Sequence, residues 1–424
     1  MKKEDPLYRA YLEILKEELV PAMGCTEPVA LALAGAKARD ALGKQPERVL
    51  VEASRNIIKN VKSVVVPNTG GLKGIKAAVS AGIVAGDAER NLEAIAGISA
   101  EQRRLIAAFL EKTPIEVKMA DTQRVLEISI TLYAGESWTR IHIIDAHTNI
   151  VLIEKDGKIL FSKEEKSETE AKTDRAMLGI KHIIDFADAV AIDDVRELIG
   201  KQIDYNSAIS AEGLAGHYGA NIGKVLRKAY GDDIKTRAKA AAAAASDARM
   251  SGCSLPVIIV AGSGNQGMTA SLPVIEYAAH LNKSREDLVR ALALSNLIAV
   301  HMKTGIGKLS AFCGVVCAGA AAAAAIAYMQ GGRMEEISGT LSNALAITSG
   351  MVCDGAKPSC AAKIAASVDA GIVGYEMIKS GQLFEAGDGI VAAGIEDTID
   401  NVGRLAREGM RETDKEIALI MLEE

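Results

Sequence analysis

The sequence is poor in aromatic residues and has no long uninterrupted apolar run. Phe, Trp and Tyr make up 4% of the 424 residues, although hydrophobic residues as a whole make up 49%. Its core must therefore be built from Ala, Val, Ile, Leu and Met, and such small side chains favour closely packed helices. The most apolar stretches, 255–262 and 311–328, are short or rich in Ala and Gly, which argues against membrane spans.

An excess of positive charge is also missing. The chain carries 49 basic and 55 acidic residues, a net charge of −6, and offers no broad positive field for nucleic acid. Its first residues form an amphipathic, Glu-rich segment where a secretory signal would be apolar. We expect a cytoplasmic protein with neither a membrane nor a nucleic acid as partner. In that compartment its six cysteines suit catalysis, metal binding or burial better than disulfides.

Changes in hydrophobic periodicity divide the chain into three parts. Helical spacing dominates residues 1–43, where Thr26 is a plausible N-cap of the second helix. Residues 44–165 predict a small α+β module, with strands expected at 48–54 and 62–68 among others and antiparallel strands over about 114–162. A charged linker follows, and residues 166–424 are helical in pattern. The sequence thus predicts a mainly α protein: N-terminal helices 1–43 packed on a helical catalytic body, with a small α+β module inserted.

Cys25, in MGCTEP at 23–28, stands just before a predicted helix. The free N–H groups and the dipole of a helix N-terminus stabilise a thiolate, so Cys25 is a candidate base or nucleophile. The alternative interpretation is a small buried residue at a helix start.

A glycine-rich loop, AGSGNQGMTASLP at 261–273, follows an apolar run and leads into another helix. Its backbone N–H groups, Gly264 included, can bind a carboxylate or phosphate, and Ser263, Asn265 and Gln266 add side-chain donors. No Lys-Ser/Thr pair follows, so the loop is not a P-loop, and the Rossmann context is missing. The alternative interpretation is an interhelical turn.

Two further segments contain cysteines. In HMKTGIGKLSAFCGVVCAG, at 301–319, Cys313 and Cys317 are four residues apart and would share a helix face. In VCDGAKPSC, at 352–360, Cys353 and Cys360 flank a Gly/Pro turn that can bring both sulfurs to one site. Spacing alone leaves open a metal site, a three-cysteine cluster with one open iron, a redox pair and structural thiols.

Five segments occur together and in order: MGCTEPVALALA, PNTGGLKGI, GSGNQGMTASLPV, KTGIGKLSAFCGVVCAG and VCDGAKPSCAAK. Over about residues 20–400 the chain resembles the L-cysteine desulfidase family, which is related to the α-chain domain of iron–sulfur L-serine dehydratases. The resemblance implies a [4Fe–4S] cluster with one open iron site and no pyridoxal phosphate. It also implies that Cys313, Cys353 and Cys360 bind the cluster, which leaves Cys253 and Cys317 as packing thiols.

The reaction implied by this resemblance is the conversion of L-cysteine to pyruvate, ammonia and sulfide. Cys25 would then accept the α-proton of a small amino-acid substrate. The substrate's carboxylate and ammonium groups would be held by the GSGNQG loop (Ser263, Gly264, Asn265 and Gln266) together with Asn68 and Thr69 of PNTGG. His301 and Lys357 are further candidates, chosen by position, for supplying charge or a proton.

Two other functions fit the same residues. One is an iron–sulfur dehydratase acting on L-serine or a related hydroxy-amino acid, because a pocket for a thiol discriminates weakly against a hydroxyl. The other, of a different class, is a catalytically inactive homologue that binds small molecules. The small-residue helix faces also suit a homodimer.

Overall fold

The computed structural model describes residues 1–23, 26–163, 173–307 and 310–423. The chain forms two compact units. Unit 1 comprises Met1–Met23, Glu170–Cys353 and Pro358–Arg411, and unit 2 comprises Gly24–Thr169, Asp354–Lys357 and Glu412–Glu424.

Helices account for most of the described chain. They are α1 (Pro6–Glu18), α2 (Thr26–Leu42), α3 (Arg55–Val61), α4 (Gly74–Ala85), α5 (Ala100–Lys112), α6 (Ile180–Ala189), α7 (Ile192–Ala215), α8 (Ile222–Tyr230), α9 (Ile234–Met250), α10 (Gly264–His280), α11 (Arg285–Ile306), α12 (Val315–Met329), α13 (Met334–Thr348), α14 (Cys360–Lys379), α15 (Ile395–Arg404) and α16 (Arg411–Glu423). The strands are β1 (Pro21–Met23), β2 (Arg48–Ala53), β3 (Ile115–Met119), β4 (Glu127–Ala134), β5 (Ser137–Ile144), β6 (Ile150–Lys155), β7 (Lys158–Ser162) and β8 (Pro256–Ile258). The prediction of a mainly α protein with a small α+β module is confirmed.

Unit 1 is a helical body whose core consists largely of alanine. Every residue of α12 is buried, and nearly all of α9 from Ala240 onwards is buried as well. Side chains this small let helix axes approach closely, as the composition predicts. Helix α1 joins this core through Tyr8 and Tyr11, whose rings pack against Phe186 of α6. Within the described ranges, no helix combines the length and the apolarity that crossing a membrane would require.

Unit 2 is built on a six-stranded sheet in the order β3-β2-β4-β5-β6-β7. Helices α2 and α4 share its apolar core. Strands β4 to β7 are antiparallel, as expected for residues 114–162, whereas β3 joins the sheet in parallel with β2. The strand predicted at 62–68 does not form. Helix α3 precedes it, and only an isolated bridge between Val65 and Lys73 remains there.

Helix α2 also differs from the prediction, which grouped it with the first helix on the helical body. It packs in unit 2, where a Cβ atom added at Gly82 of α4 would lie 1.9 Å from the carbonyl oxygen of Ala32. Such a close backbone approach requires glycine, and it binds α2 to α4 along their length. Because α2 is buried on nearly all sides, its sequence pattern does not identify the core that it joins.

Candidate functional site

Two short segments of unit 1 bring Cys313 and Cys353 side by side. The backbone N–H of Cys313 donates to the carbonyl of Met351 at 3.0 Å, and the N–H of Cys353 donates to the carbonyl of Ala311. Phe312 and Val352, which each directly precede one of these cysteines, form an isolated antiparallel bridge. As a result the thiols of Cys313 and Cys353 are hydrogen-bonded to each other.

Helices α12 and α14 cross in parallel orientation. A Cβ atom at Gly319 would lie 2.6 Å from the carbonyl oxygen of Ser367, and a Cβ atom at Gly371 would lie 2.9 Å from the Cβ atom of Ala323. Contacts that advance by four residues in the same direction on both helices mean that the two N-termini lie at the same end of the pair. Glycine is required at the crossing because the backbones approach so closely.

The third cysteine of the group lies at the N-terminus of α14. Cys360 is the first residue of α14, and Cys313 lies two residues before the start of α12. Helix N-termini carry partial positive charge and unpaired N–H groups, so both favour anionic sulfur or an anionic ligand at this position.

The electrostatics of Cys313 show that the three thiols interact. The hydrogen bond with Cys353, burial, and the negative charge that Cys353 and Cys360 would carry all raise the pKa of Cys313 well above its ordinary value. The raised pKa keeps Cys313 in its thiol form, and holding all three groups as thiolates would need cations to offset their repulsion. Cys317 lies deeper in α12, where burial raises its pKa to about 12, as expected of a packing thiol.

Among the described residues, no group of three or more His, Cys, Asp or Glu side chains could hold a single metal ion. Iron–sulfur clusters are held by thiolates, so three cysteines are compatible with such a cluster, and their role as its ligands stays a prediction. In a cubane cluster each cysteine binds a different iron, so the three sulfurs need not meet at one point.

The GSGNQG loop adjoins this group of cysteines. Gln266, in the first turn of α10, is 5% exposed, and its Oε1 atom has no hydrogen-bond partner. A Cβ atom at Gly314 would lie 2.6 Å from that oxygen, so the Gln266 amide lies directly against the residue that follows Cys313. A buried amide oxygen without a partner is unusual and is typical of a site that receives a ligand.

The other members of the loop have structural partners. Ser263 caps α10 by accepting a hydrogen bond from the N–H of Gln266 at 3.4 Å. Asn265 accepts a hydrogen bond from Ser246 at 3.2 Å. Gly264 lies against the guanidinium group of Arg249, to which a Cβ atom would approach within 2.4 Å. Arg249, which no sequence motif indicates, places a positive charge beside the loop at the end of α9.

Asp247, one helical turn before the end of α9, is a second residue of this site that no sequence motif indicates. Its carboxylate accepts a hydrogen bond from the N–H of Gly223 at 3.2 Å, and burial raises its pKa to about 6. A Cβ atom at Gly219 would lie 3.3 Å from Asp247 Oδ1 and 3.5 Å from Pro358 Cβ, so Asp247 lies close to the turn before Cys360. The sequence signal that could have identified Asp247 is a single acidic residue within an alanine-rich run.

In unit 2 a polar group surrounds the start of α2. The hydroxyl of Thr26 lies 3.0 Å from Nε2 of His147, and Asn60 of α3 donates to Glu27 at 3.3 Å. Burial lowers the pKa of His147 and so favours its neutral form. Cys25, the predicted proton acceptor, lies outside the described residues. His147 was also missed, although a histidine in the turn DAHTN was a visible signal.

Asn68 and Thr69 hold the PNTGG loop of unit 2 in shape. Asn68 donates to the carbonyl of Ile95 at 3.0 Å, and the hydroxyl of Thr69 donates to the carbonyl of Val66 at 2.8 Å. Asn68 itself adopts a left-handed backbone conformation with φ 63°. Substrate binding by these two residues stays a prediction.

His301 and Lys357 each have a carboxylate partner. His301 lies 2.7 Å from Glu396 of α15. Although burial alone would raise the pKa of Glu396, hydrogen bonds from His301 and from the N–H of Ile180 keep it below its ordinary value. Lys357 forms an ion pair with Asp354 and donates to the carbonyl of Gly355 at 3.2 Å, which closes the turn between the cysteines. Direct roles for both residues toward substrate stay predictions.

Comparison with known proteins gives a consistent set of relatives. Residues 89–418 match the family model described as serine dehydratase alpha chain. A UPF0597 protein of Desulfitobacterium hafniense is 60% identical over 423 residues, which cover 100% of this chain and 98% of the relative. A UPF0597 protein of Lachnoclostridium phytofermentans is 50% identical, with 98% of this chain and 100% of the relative covered. One from Treponema denticola is 46% identical, with both chains covered completely.

Proposed function

The chain belongs to the serine dehydratase alpha chain family, and from that premise we propose that it is a [4Fe–4S]-dependent lyase converting L-cysteine to pyruvate, ammonia and sulfide. Family membership supports an iron–sulfur dehydratase-like activity. The choice of L-cysteine rests on the motifs MGCTEP, AFCG and CDGAKPSC, which resemble those of L-cysteine desulfidases. No pyridoxal phosphate is needed for this chemistry.

One observation carries the proposal: the interaction of Cys313, Cys353 and Cys360 at the N-termini of two parallel buried helices. These three residues would hold the cluster, and the helix dipoles would stabilise its negative charge. When bound, the cluster supplies an iron without a protein ligand that acts as a Lewis acid toward the substrate.

β-Elimination breaks two bonds of the substrate. The α-proton passes to a base, and the electron pair left on the α-carbon forms a double bond as the C–S bond breaks, releasing sulfide. The resulting aminoacrylate is hydrolysed to pyruvate and ammonia. We assign proton acceptance to Cys25, and the neutral His147, bonded to the adjacent Thr26, is suited to take up a proton in turn.

Residues around the GSGNQG loop bind the charged groups of the substrate. The guanidinium of Arg249 and the N-terminal amides of α10 suit a carboxylate. The Gln266 Oε1 atom, which is buried without a partner, suits an ammonium donor. These groups orient a zwitterionic amino acid beside Cys313 and exclude water from one side of it.

The first test is a cysteine replacement series under anaerobic conditions. Cys313→Ala, Cys353→Ala and Cys360→Ala should each lose most of the iron and acid-labile sulfide after reconstitution, whereas Cys317→Ala should retain them. Cys317 is the matched control because it lies fully buried in α12, four residues from Cys313. Wild-type protein that stays free of iron would refute the cluster assignment.

A second candidate activity is L-serine dehydration, which the description of the matched family favours. A hydroxyl leaves in place of the thiol, and every other group keeps its role. The two are separated by measuring kcat/KM for L-cysteine and L-serine on one anaerobic preparation. A higher value for L-serine would replace the desulfidase assignment by the dehydratase one.

A further inference from the structure

The helix α16 is anchored in unit 2 by a buried ion pair. Nζ of Lys59, on α3, lies 2.5 Å from Oδ1 of Asp414, and the two side chains are 2% and 4% exposed. Arg55 approaches the same carboxylate at 3.6 Å. Lys62, at the end of α3, donates to the carbonyl of Met421 in α16. Burying charges is costly unless they are paired, so this contact fixes α16 against α3 in one position.

The backbone of α3 meets a second segment at the same residue. A Cβ atom at Gly355 would lie 1.8 Å from the carbonyl oxygen of Lys59. Gly355 has φ +89°, a conformation that other residues rarely adopt. Ile58 is the residue whose carbonyl accepts the N–H of Lys62 at the C-cap, and the carbonyl of Lys59, one residue further on, is the one that Gly355 approaches.

Gly355 belongs to the four-residue segment Asp354–Lys357, which lies between Cys353 and Cys360 in the chain and is part of unit 2. The ion pair between Asp354 and Lys357 closes this segment into a turn. Lys59 therefore contacts α16 through its side chain and the turn through its carbonyl oxygen. A change in how α3 is held against α16 would therefore also move the carbonyl that contacts this turn.

We propose that Asp414 is a positioning residue for the turn between Cys353 and Cys360, acting through Lys59, and that α16 thereby stabilises a cluster bound at these cysteines. The role toward the cluster rests on the proposed function. The role toward the turn does not, and it can be measured in the apoprotein. Asp414 touches neither substrate nor cluster in this scheme.

The test compares Asp414→Asn with Glu416→Gln in the full chain. Asparagine keeps the shape of aspartate but leaves the buried Lys59 ammonium without its carboxylate, whereas Glu416 is an exposed residue of the same helix. In the apoprotein, hydrogen–deuterium exchange of peptides covering 354–357 should be about tenfold faster in Asp414→Asn than in wild type, which corresponds to about 1.4 kcal/mol of local opening. Glu416→Gln should exchange as wild type does, and peptides of β4 and β5 should be unchanged in both variants.

In reconstituted protein, iron should be lost faster to a chelator from Asp414→Asn than from Glu416→Gln. Asp414→Glu, which restores the charge, should recover part of the protection. Where Asp414→Asn fails to fold, Gly355→Ala provides the same readout, with Gly387→Ala as control because Gly387 has φ +101° and open space around it. Unchanged exchange at 354–357 in folded Asp414→Asn overturns the positioning role. A wild-type protein without iron overturns the proposed function, while the apoprotein measurement still decides the role of Asp414.

Discussion

A buried carboxyl group sits near the end of α9, where Asp247 is 1% exposed. One of its oxygens accepts a backbone hydrogen bond, and the other has no hydrogen-bond partner. Burial raises its pKa in the folded protein to about 6, above the value of 3.8 expected when exposed. Its contribution to stability is therefore fully present below about pH 4 and is lost as the pH rises through about 6.

Replacing this carboxyl group should stabilise the protein in a pH-dependent way. Above pH 6 the folded state holds a charged, poorly solvated carboxylate, and Asp247→Asn removes that charge while keeping an oxygen for the Gly223 N–H. We expect a gain of about 1–3 kcal/mol in the free energy of unfolding at pH 8 and little gain near pH 4. Urea unfolding at both pH values measures it, with the exposed Asp204→Asn as control. Equal gains at the two pH values would contradict the prediction.

At the scale of elements, the parallel pair α12 and α14 depends on glycine at its crossing. Gly319→Ala introduces a Cβ atom 2.6 Å from the Ser367 backbone and forces the helices apart. We expect a loss of about 1–3 kcal/mol in the free energy of unfolding, together with weaker iron retention because the helix ends carry two of the cysteines.

Gly200→Ala in α7 is the matched control for this substitution. Its Cβ atom would meet only the end of the Arg285 side chain, at 3.8 Å. Relief of glycine's conformational entropy should stabilise that variant by about 0.5–1 kcal/mol. Chemical denaturation of both variants gives the comparison, and loss of stability in both would show that the crossing is not the cause.

For the whole molecule, cluster binding should protect one part of the chain selectively. A ligand that binds only the folded state stabilises the region that contacts it. Reconstitution should slow hydrogen exchange at the starts of α12 and α14, whereas β5 and β6 of unit 2 should exchange as in the apoprotein. Cys313→Ala treated in the same way is the control and should show no protection. Uniform protection of both units would refute a localised site.

Much of the helical body could be predicted from composition, because a core with few aromatic residues and many alanines favours closely packed helices. The three cysteines were predicted as cluster ligands from motifs that occur in a fixed order, and that role stays a prediction. Helix α2 was assigned to the wrong core because a helix buried on nearly all sides has no polar face to orient it. The segment 62–68 has three consecutive valines, Val64–Val66, yet no neighbouring strand pairs with it beyond a single bridge.

The remaining parts of the site could not be read from local sequence. The pairing of Lys59 with Asp414 joins residues 355 positions apart, and nothing near either residue marks the partner. Gln266 was identified as a donor, but its position against Gly314 depends on the packing of α10 on α12. Arg249 and His147 lie outside the recognised motifs, so only the fold connects them with the candidate site.

Unit 2 is formed by three separate chain segments, and this has a consequence for biosynthesis. The residues of α16 leave the ribosome after all three cysteines, so a nascent chain contains the Cys353–Cys360 turn before its support exists. Domains tend to fold as they are synthesised, whereas unit 2 is complete only when its last segment, Glu412–Glu424, has been made. Chains that stop before Asp414 would carry every cysteine and still lack the anchored turn. Under the proposed role of α16, iron insertion would thereby favour polypeptides that have been translated past this helix.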